Sequence, residues 1–178
     1  VERANQELLE AWAGGDYDAG HCLFERHFAT VRRFFRNKVG AELEDLVQQT
    51  FLGCLEARAR YRGEANFKTF ILSIARNQLY SHYRRVTKRA DLDFSVQSIE
   101  DMGTSPSGVI ARHQKERALE MALRSVPLDM QIAVELAYWH ELSPSEIATV
   151  LDVPLNTVYS RLRRARLLLR DLMQPDCF

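Results

Sequence analysis

The sequence predicts an all-α protein, built as two small helical domains joined by a flexible linker. Three observations carry that expectation. Apolar residues recur at helical spacing along nearly all of the 178 residues. No stretch alternates apolar and polar side chains in the manner of a strand. One cluster of turn-forming residues, Asp101-Met102-Gly103-Thr104-Ser105-Pro106-Ser107-Gly108, breaks the helical pattern. The length suits one ordinary domain or two small ones. A hydrophobic content of 46% is enough to bury a core and argues against wholesale disorder.

The first domain is expected over residues 1–89. A loose apolar stripe runs through Phe24, Phe28, Val31, Phe34 and Phe35. A stricter one follows at Leu43, Leu46, Val47, Thr50, Phe51, Cys54 and Leu55, the i, i+3, i+4, i+7, i+8 set of an amphipathic helix. Its polar face carries Glu44, Asp45, Gln48 and Gln49. The same period returns at Phe67, Phe70, Ile71, Ile74, Ala75, Gln78 and Leu79, so Phe70 reads as core. Arg76, Tyr80, Tyr83 and Arg84 fall on another side of that helix. Aromatics interleaved with bases suit a single nucleic-acid strand, by stacking and phosphate neutralisation. A tyrosine-rich rim on a basic helix fits the same pattern.

An acidic linker is expected over 90–109, and residues 90–101 contain four acids and no base. The second helical domain then covers 110–178, with helix to about Met173. Within it, Ser143-Pro144-Ser145-Glu146 has the form of a capping box, with proline at the first helical position. The short helix that follows buries Ile147, Ala148 and Leu151. Asp152-Val153-Pro154 ends it, because a residue before proline is pushed out of the helical region. Pro154 then begins a longer helix, apolar at Leu155, Val158, Leu162, Ala165, Leu169 and Leu172. Asn156, Thr157, Tyr159, Ser160, Arg163, Arg164 and Arg166 occupy its other faces. Short helix, three-residue turn and longer basic helix make a helix-turn-helix layout, whose second helix enters the major groove. Arginine there pairs with guanine edges, and asparagine or serine reads edges or phosphates. An ordinary helical hairpin with a basic solvent face has the same layout.

Formal net charge is zero, but its distribution is uneven. Residues 58–89 hold nine Lys/Arg against one acid, and residues 155–171 hold five Arg against one acid. Two anion-binding surfaces separated by an acidic stretch fit this pattern, as do two solvated helix faces. Cys22, Cys54 and Cys177 lie far apart and suggest a reducing compartment, with no paired spacing for a metal. The five histidines show no ligand spacing, and neither a nucleotide-binding glycine loop nor a nucleophile motif occurs. No enzyme activity, cofactor or metal is therefore expected. No apolar run reaches membrane-spanning length and the N-terminus lacks a signal-peptide core, so a cytoplasmic protein is expected.

Leu142-Ser143-Pro144-Ser145-Glu146-Ile147-Ala148, followed by Val153-Pro154-Leu155-Asn156-Thr157-Val158-Tyr159-Ser160-Arg161-Leu162-Arg163-Arg164-Ala165-Arg166, resembles the fourth region of extracytoplasmic-function sigma factors, the compact class of the sigma-70 family. Asn156 stands where the family commonly has glycine, and Tyr159 where it has a basic residue. Glu42-Leu43-Glu44-Asp45-Leu46-Val47-Gln48-Gln49-Thr50-Phe51-Leu52 is similar to the family's second-region docking helix, with Gln49 in the usual place of glutamate. Tyr61-Arg62-Gly63-Glu64-Ala65-Asn66-Phe67 and Phe70-Ile71-Leu72-Ser73-Ile74-Ala75-Arg76-Asn77 look like its loop and melting helix, with Phe70 in the frequent place of tryptophan. The resemblance covers about 15–85 and 115–172, with both blocks in the family's order.

The resemblance implies a sigma factor that directs promoter-specific transcription initiation on RNA polymerase and has no catalysis of its own. Asp45, Gln48 and Gln49 would dock on the clamp helices of the polymerase beta-prime subunit. Asn156, Thr157, Tyr159, Ser160, Arg163, Arg164 and Arg166 would read the minus-35 element as duplex. Tyr61, Arg76, Asn77, Tyr80 and Arg84 would capture the melted minus-10 strand. The acidic linker would thread toward the polymerase active-site channel. Family members are often held inactive by an anti-sigma factor, which joins core polymerase and promoter DNA as a candidate partner. Two rivals remain on sequence alone. A stand-alone helix-turn-helix regulator would bind a palindrome as a dimer, and a protein-binding adaptor would show no DNA-dependent effect.

Overall fold

The computed structural model describes residues 2–58, 66–103 and 114–173, which form helices α1 (Glu2–Ala13), α2 (Tyr17–Arg36), α3 (Leu43–Ala57), α4 (Phe67–Thr87), α5 (Gln114–Ser125), α6 (Leu128–Tyr138), α7 (Pro144–Leu151) and α8 (Leu155–Met173). Among the described residues the only β-type pairing is an isolated bridge between Ser98 and Pro127. The all-α expectation holds.

Local chemistry sets the helix ends. Asp16 caps α2 by accepting from the Asp18 and Ala19 amides at 2.9 and 3.1 Å. Asn66 caps α4 by accepting from Thr69 N at 2.8 Å. Glu44 and Asp45 sit in the first turn of α3, where a helix dipole favours acids. Most positions of the stripes read from the sequence turn inward, with Val31, Phe34, Phe35, Leu46, Val47, Ile71 and Leu79 buried, whereas Phe28 and Leu55, expected on the same stripes, are exposed.

Helix α1 shows no long apolar stripe in the sequence, because only a short cluster, Leu8, Leu9 and Trp12, packs it onto the core. Trp12 meets Phe24 and Phe67 edge-on at 5.9 and 5.8 Å and reaches across α2 at Gly20. A Cβ on Gly20 would lie 2.4 Å from Trp12 Cδ1. Gly20→Ala is therefore expected to push α1 off α2 at a cost of about 2 kcal/mol. A thermal melt should show the midpoint falling by several degrees. An unchanged midpoint would show that α1 yields without penalty.

The described part of the expected linker is packed down. Leu92, Phe94 and Ile99 are buried. The first amides of α6, left without a side-chain cap, donate instead to this segment: Leu128 N to Gln97 O at 2.9 Å and Asp129 N to Phe94 O at 3.0 Å. Scattered apolar residues among acids anchor a segment that has no helical period, which is why it reads as free chain in the sequence. The pattern at 104–109 lies outside the described residues.

The two halves meet along α6. Lys38, in the turn after α2, is ion-paired with Glu135 of α6, and both side chains are at most 1% exposed. Lys38 Nζ also donates to Phe34 O at 2.5 Å, and Gln131 Nε2 donates to Glu135 Oε1 at 2.8 Å. The Tyr83 hydroxyl donates to the Lys38 carbonyl. Around this polar centre one continuous apolar core runs from Leu9 to Leu162.

Candidate nucleic-acid interface

The helix-turn-helix forms as its sequence dictates. Ser143 N donates to Glu146 Oε2 at 2.8 Å and Glu146 N donates to Ser143 Oγ at 3.3 Å, closing the capping box. At the other end of α7, Asp152 turns left-handed at φ 54°, and Val153 N reaches back to Ala148 O at 3.1 Å. Pro154 precedes α8 and does not begin it; its carbonyl accepts from Thr157 N at 2.9 Å. This is a one-position shift in the expected helix start.

Val158, Leu162, Ala165 and Leu169 bury one face of α8. Leu155 and Leu172, expected on that stripe, are exposed. Asn156, Tyr159, Ser160, Arg163, Arg164 and Arg166 are exposed on other faces, and Thr157 is half-buried. Ser160 Oγ donates to Thr157 O at 2.9 Å. The Arg166 guanidinium lies 6.0 Å from the centre of the Tyr138 ring. Arg163 and Arg164 make no ion pair among the described residues.

One arginine of α8 is tied to another helix. Arg161 is 14% exposed and pairs with Asp129 of α6 at 2.7 Å. It follows Val158 by three positions, so its place at the edge of the apolar stripe signals the inward turn. The same Asp129 accepts from the Tyr80 hydroxyl of α4.

On α4 the expected strand-binding set divides. Asn77 and Arg84 are exposed, and Arg76 is half-buried over the Tyr80 ring at 5.4 Å. Tyr80 is half-buried beneath Phe94, with ring centres 4.2 Å apart and planes 19° from parallel. Arg84 lies over the other partner of that stack, 5.3 Å from the Phe94 centre. Tyr83, read from the sequence as part of the basic-aromatic face, is fully buried and bonded to the Lys38 carbonyl. It turns into the core because residue 83 follows the buried Leu79 by four positions. Phe70 packs against the core, as its stripe position implies. Tyr61 lies outside the described residues.

Asp45, Gln48 and Gln49 are exposed together along α3. Beside them runs an apolar groove of about 800 Å³, lined by Phe24, Phe28, Val47, Gln48, Phe51 and Leu52. Phe28 and Leu52 are about half exposed, so this face offers apolar contact next to polar groups. Among the described residues no cluster of His, Cys, Asp and Glu is placed to hold a metal ion. Among them too, no helix is long and apolar enough to cross a membrane.

Residues 23–89 match the family model for sigma-70 region 2, and residues 116–169 match that for sigma-70 region 4. The chain is 27% identical to the RNA polymerase sigma-H factor of Pseudomonas aeruginosa, over 98% of its own length and 96% of the relative's. It is 28% identical to the ECF RNA polymerase sigma-E factor of Haemophilus influenzae, over 96% of both. Among solved structures it resembles CnrH in complex with the cytosolic domain of CnrY, with a TM-score of 0.72, 20% identity and coverage of 97% and 99%. It also resembles the sigma factor RpoE of Bartonella quintana in complex with the anti-sigma factor NepR, with a TM-score of 0.64, 23% identity and coverage of 84% and 92%.

Proposed function

Since the chain belongs to the sigma-70 family, in its extracytoplasmic-function class, and is a non-enzymatic initiation factor, we propose that it binds core RNA polymerase through α3, reads a minus-35 element with α8, and captures the melted minus-10 strand with α4 and the loop before it. The observation that carries this reading is the exposed basic face of α8, where Arg163 and Arg164 stand clear of acids on a capped helix-turn-helix. The domains proposed are 1–89 for docking and melting and 110–178 for upstream recognition, with 90–109 between them. Polymerase binding places the factor in the cytoplasm. An anti-sigma factor is a further proposed partner, by analogy with the Bartonella quintana complex.

Transcription in vitro with purified core polymerase tests the reading. Run-off product from a subset of promoters, dependent on this chain, is expected. Binding to duplex palindromes without core, and no run-off with it, would favour a stand-alone regulator.

Two variants refine the assignment. Asp45→Arg reverses a charge on the proposed docking face, so core affinity should fall while circular dichroism stays native. Unchanged affinity would move docking elsewhere. Arg164→Ala should cost about 1–3 kcal/mol of promoter affinity if it makes a bidentate base contact. That loss should concentrate at one or two upstream base pairs. A loss uniform across sequences would make Arg164 a phosphate contact. Tyr61 and Asn77 are assigned to a flipped downstream base, Tyr61 stacking on it and Asn77 bonding its edge.

A further inference from the structure

We propose that Asp129 and Arg161 are positioning residues for promoter reading: the carboxylate on α6 fixes the roll of α8 about its axis and so aims the residues that face DNA, a role that rests on the initiation-factor reading. Position 129 then sets sequence preference without touching a base.

Geometry separates Arg161 from the other arginines of the recognition stretch. Its Nη2 lies 2.7 Å from an Asp129 carboxylate oxygen, with the two side chains 14% and 10% exposed. Its Nη1 is shut off from solvent as well. Arg163, Arg164 and Arg166 are exposed. The Arg161 guanidinium is therefore committed to the protein, while its neighbours remain open to a ligand. Asp129 is itself well held. It sits in the first turn of α6, where the helix dipole favours a carboxylate. Leu128, Met130 and Ile132 around it are buried, so the carboxylate projects from a fixed helix.

The rest of the α8 anchor is apolar. Val158, Leu162, Ala165 and Leu169 bury one face. Apolar burial is strong but non-directional, so it holds the helix down without fixing its rotation. A charge-assisted hydrogen bond supplies the missing direction. Side-chain ends lie about 6 Å from a helix axis, so a roll of about 10° moves them by about 1 Å. A recognition contact tolerates about 0.5 Å. Arg164 follows Arg161 by three positions and neighbours it on the helix surface, so the roll set at Arg161 is passed directly to Arg164.

The test uses the full chain with purified core polymerase. A randomised upstream library first gives the element that the parent selects. The measured quantity is affinity for that element divided by affinity for a scrambled duplex. Asp129→Asn drops the charge and keeps an oxygen for the Tyr80 hydroxyl, which also donates to this carboxylate. Arg161→Met removes the guanidinium and leaves the Tyr80 bond alone. With native circular dichroism, each variant should lower the ratio about tenfold. Arg161→Lys, which keeps the charge, should return it to within about threefold of the parent. The slope of log affinity against log salt should stay at the parent's value, because no phosphate contact is lost. In an Arg164→Ala background, Asp129→Asn should cost little more at the base pair that Arg164 reads, since the two changes act through one contact.

A salt slope lower by about one in Arg161→Met, with Asp129→Asn tightening binding to every sequence, would make Arg161 a phosphate contact and overturn the proposal. Folded variants whose ratio stays at the parent's value would overturn it too, because the pair would then serve stability alone. If Asp129→Asn fails to fold, the two Arg161 variants carry the same test. A parent that forms no sequence-dependent complex with core would sink the initiation-factor reading and the proposal with it; complexes with unmoved ratios sink the proposal alone.

Discussion

Replacing Glu135 by alanine is expected to speed amide exchange along α6 and the Lys38 turn by roughly two to four orders of magnitude, the equivalent of about 3–5 kcal/mol. The reason is asymmetry. Lys38 is fully buried, and burial already pulls its ammonium below the ordinary lysine range, with Glu135 opposing that shift by charge and by hydrogen bond. Without Glu135, the desolvation penalty remains and the compensation is gone. The chain can relieve that penalty by releasing the Lys38 proton or by undocking α6 so that Lys38 reaches water. For that reason the loss should appear in exchange at the seam before it appears in global unfolding. The double variant Lys38→Met with Glu135→Leu removes both charges and fills the space, so it should restore slow exchange to within about tenfold of the parent. Equal exchange in the parent and the single variant would show that the pair contributes nothing to docking.

Acid should undo the fold earlier than its carboxylates alone would dictate. His140 is buried among Lys38, Lys68 and Arg33, and its pKa is pushed down from 6.5 to about 3, by desolvation first and these charges second. His27 is buried against the Phe67 ring near Lys68 and Arg26, and is pushed down to about 4 for the same reasons. Neither His27 ring nitrogen has a hydrogen-bond partner among the described residues. Both groups protonate near 6.5 in the unfolded chain and only near 3–4 in the folded one. Between those values the unfolded state binds more protons, so stability falls as pH falls, starting near 6.5. At pH 5 each histidine should account for about 2 kcal/mol lost relative to pH 7.5, or about 4 kcal/mol together. Burial lowers His82 as well, in the same direction. Urea midpoints measured at both pH values test this. His27→Gln with His140→Gln should flatten the profile between pH 7.5 and 5; a profile that stays steep would assign the loss to other groups.

The sequence exposed the parts of this molecule whose signals are periodic or local. The stripes of α2, α3, α4 and α8 follow from spacing, and the α7 capping box follows from four consecutive residues. The outward arginines of α8 are the complement of its buried face. Contacts between distant residues were not legible. Lys38 and Glu135 are 97 positions apart, and each taken alone reads as a solvated charge. Tyr80 shares a helix with basic residues, and only the arrival of Asp129 of α6 and of Phe94 decides that it turns inward, whereas the burial of Tyr83 follows from its spacing after Leu79. Residues 90–103 lacked periodicity because three isolated apolar anchors, not a helix, hold them in place.

The buried pair also bears on inheritance. A factor made by joining the first half of this chain to the second half of a relative would place Lys38 opposite whatever residue its new companion offers. If that residue is apolar, a naked ammonium lies in the seam; if the exchange runs the other way, a naked carboxylate does. Each half is thus matched to its own counterpart by charge as well as by shape. Chimeras are expected to keep their halves docked along α6 only when positions 38 and 135 travel together, so recombination between members of the family would be filtered at this seam before any promoter is read.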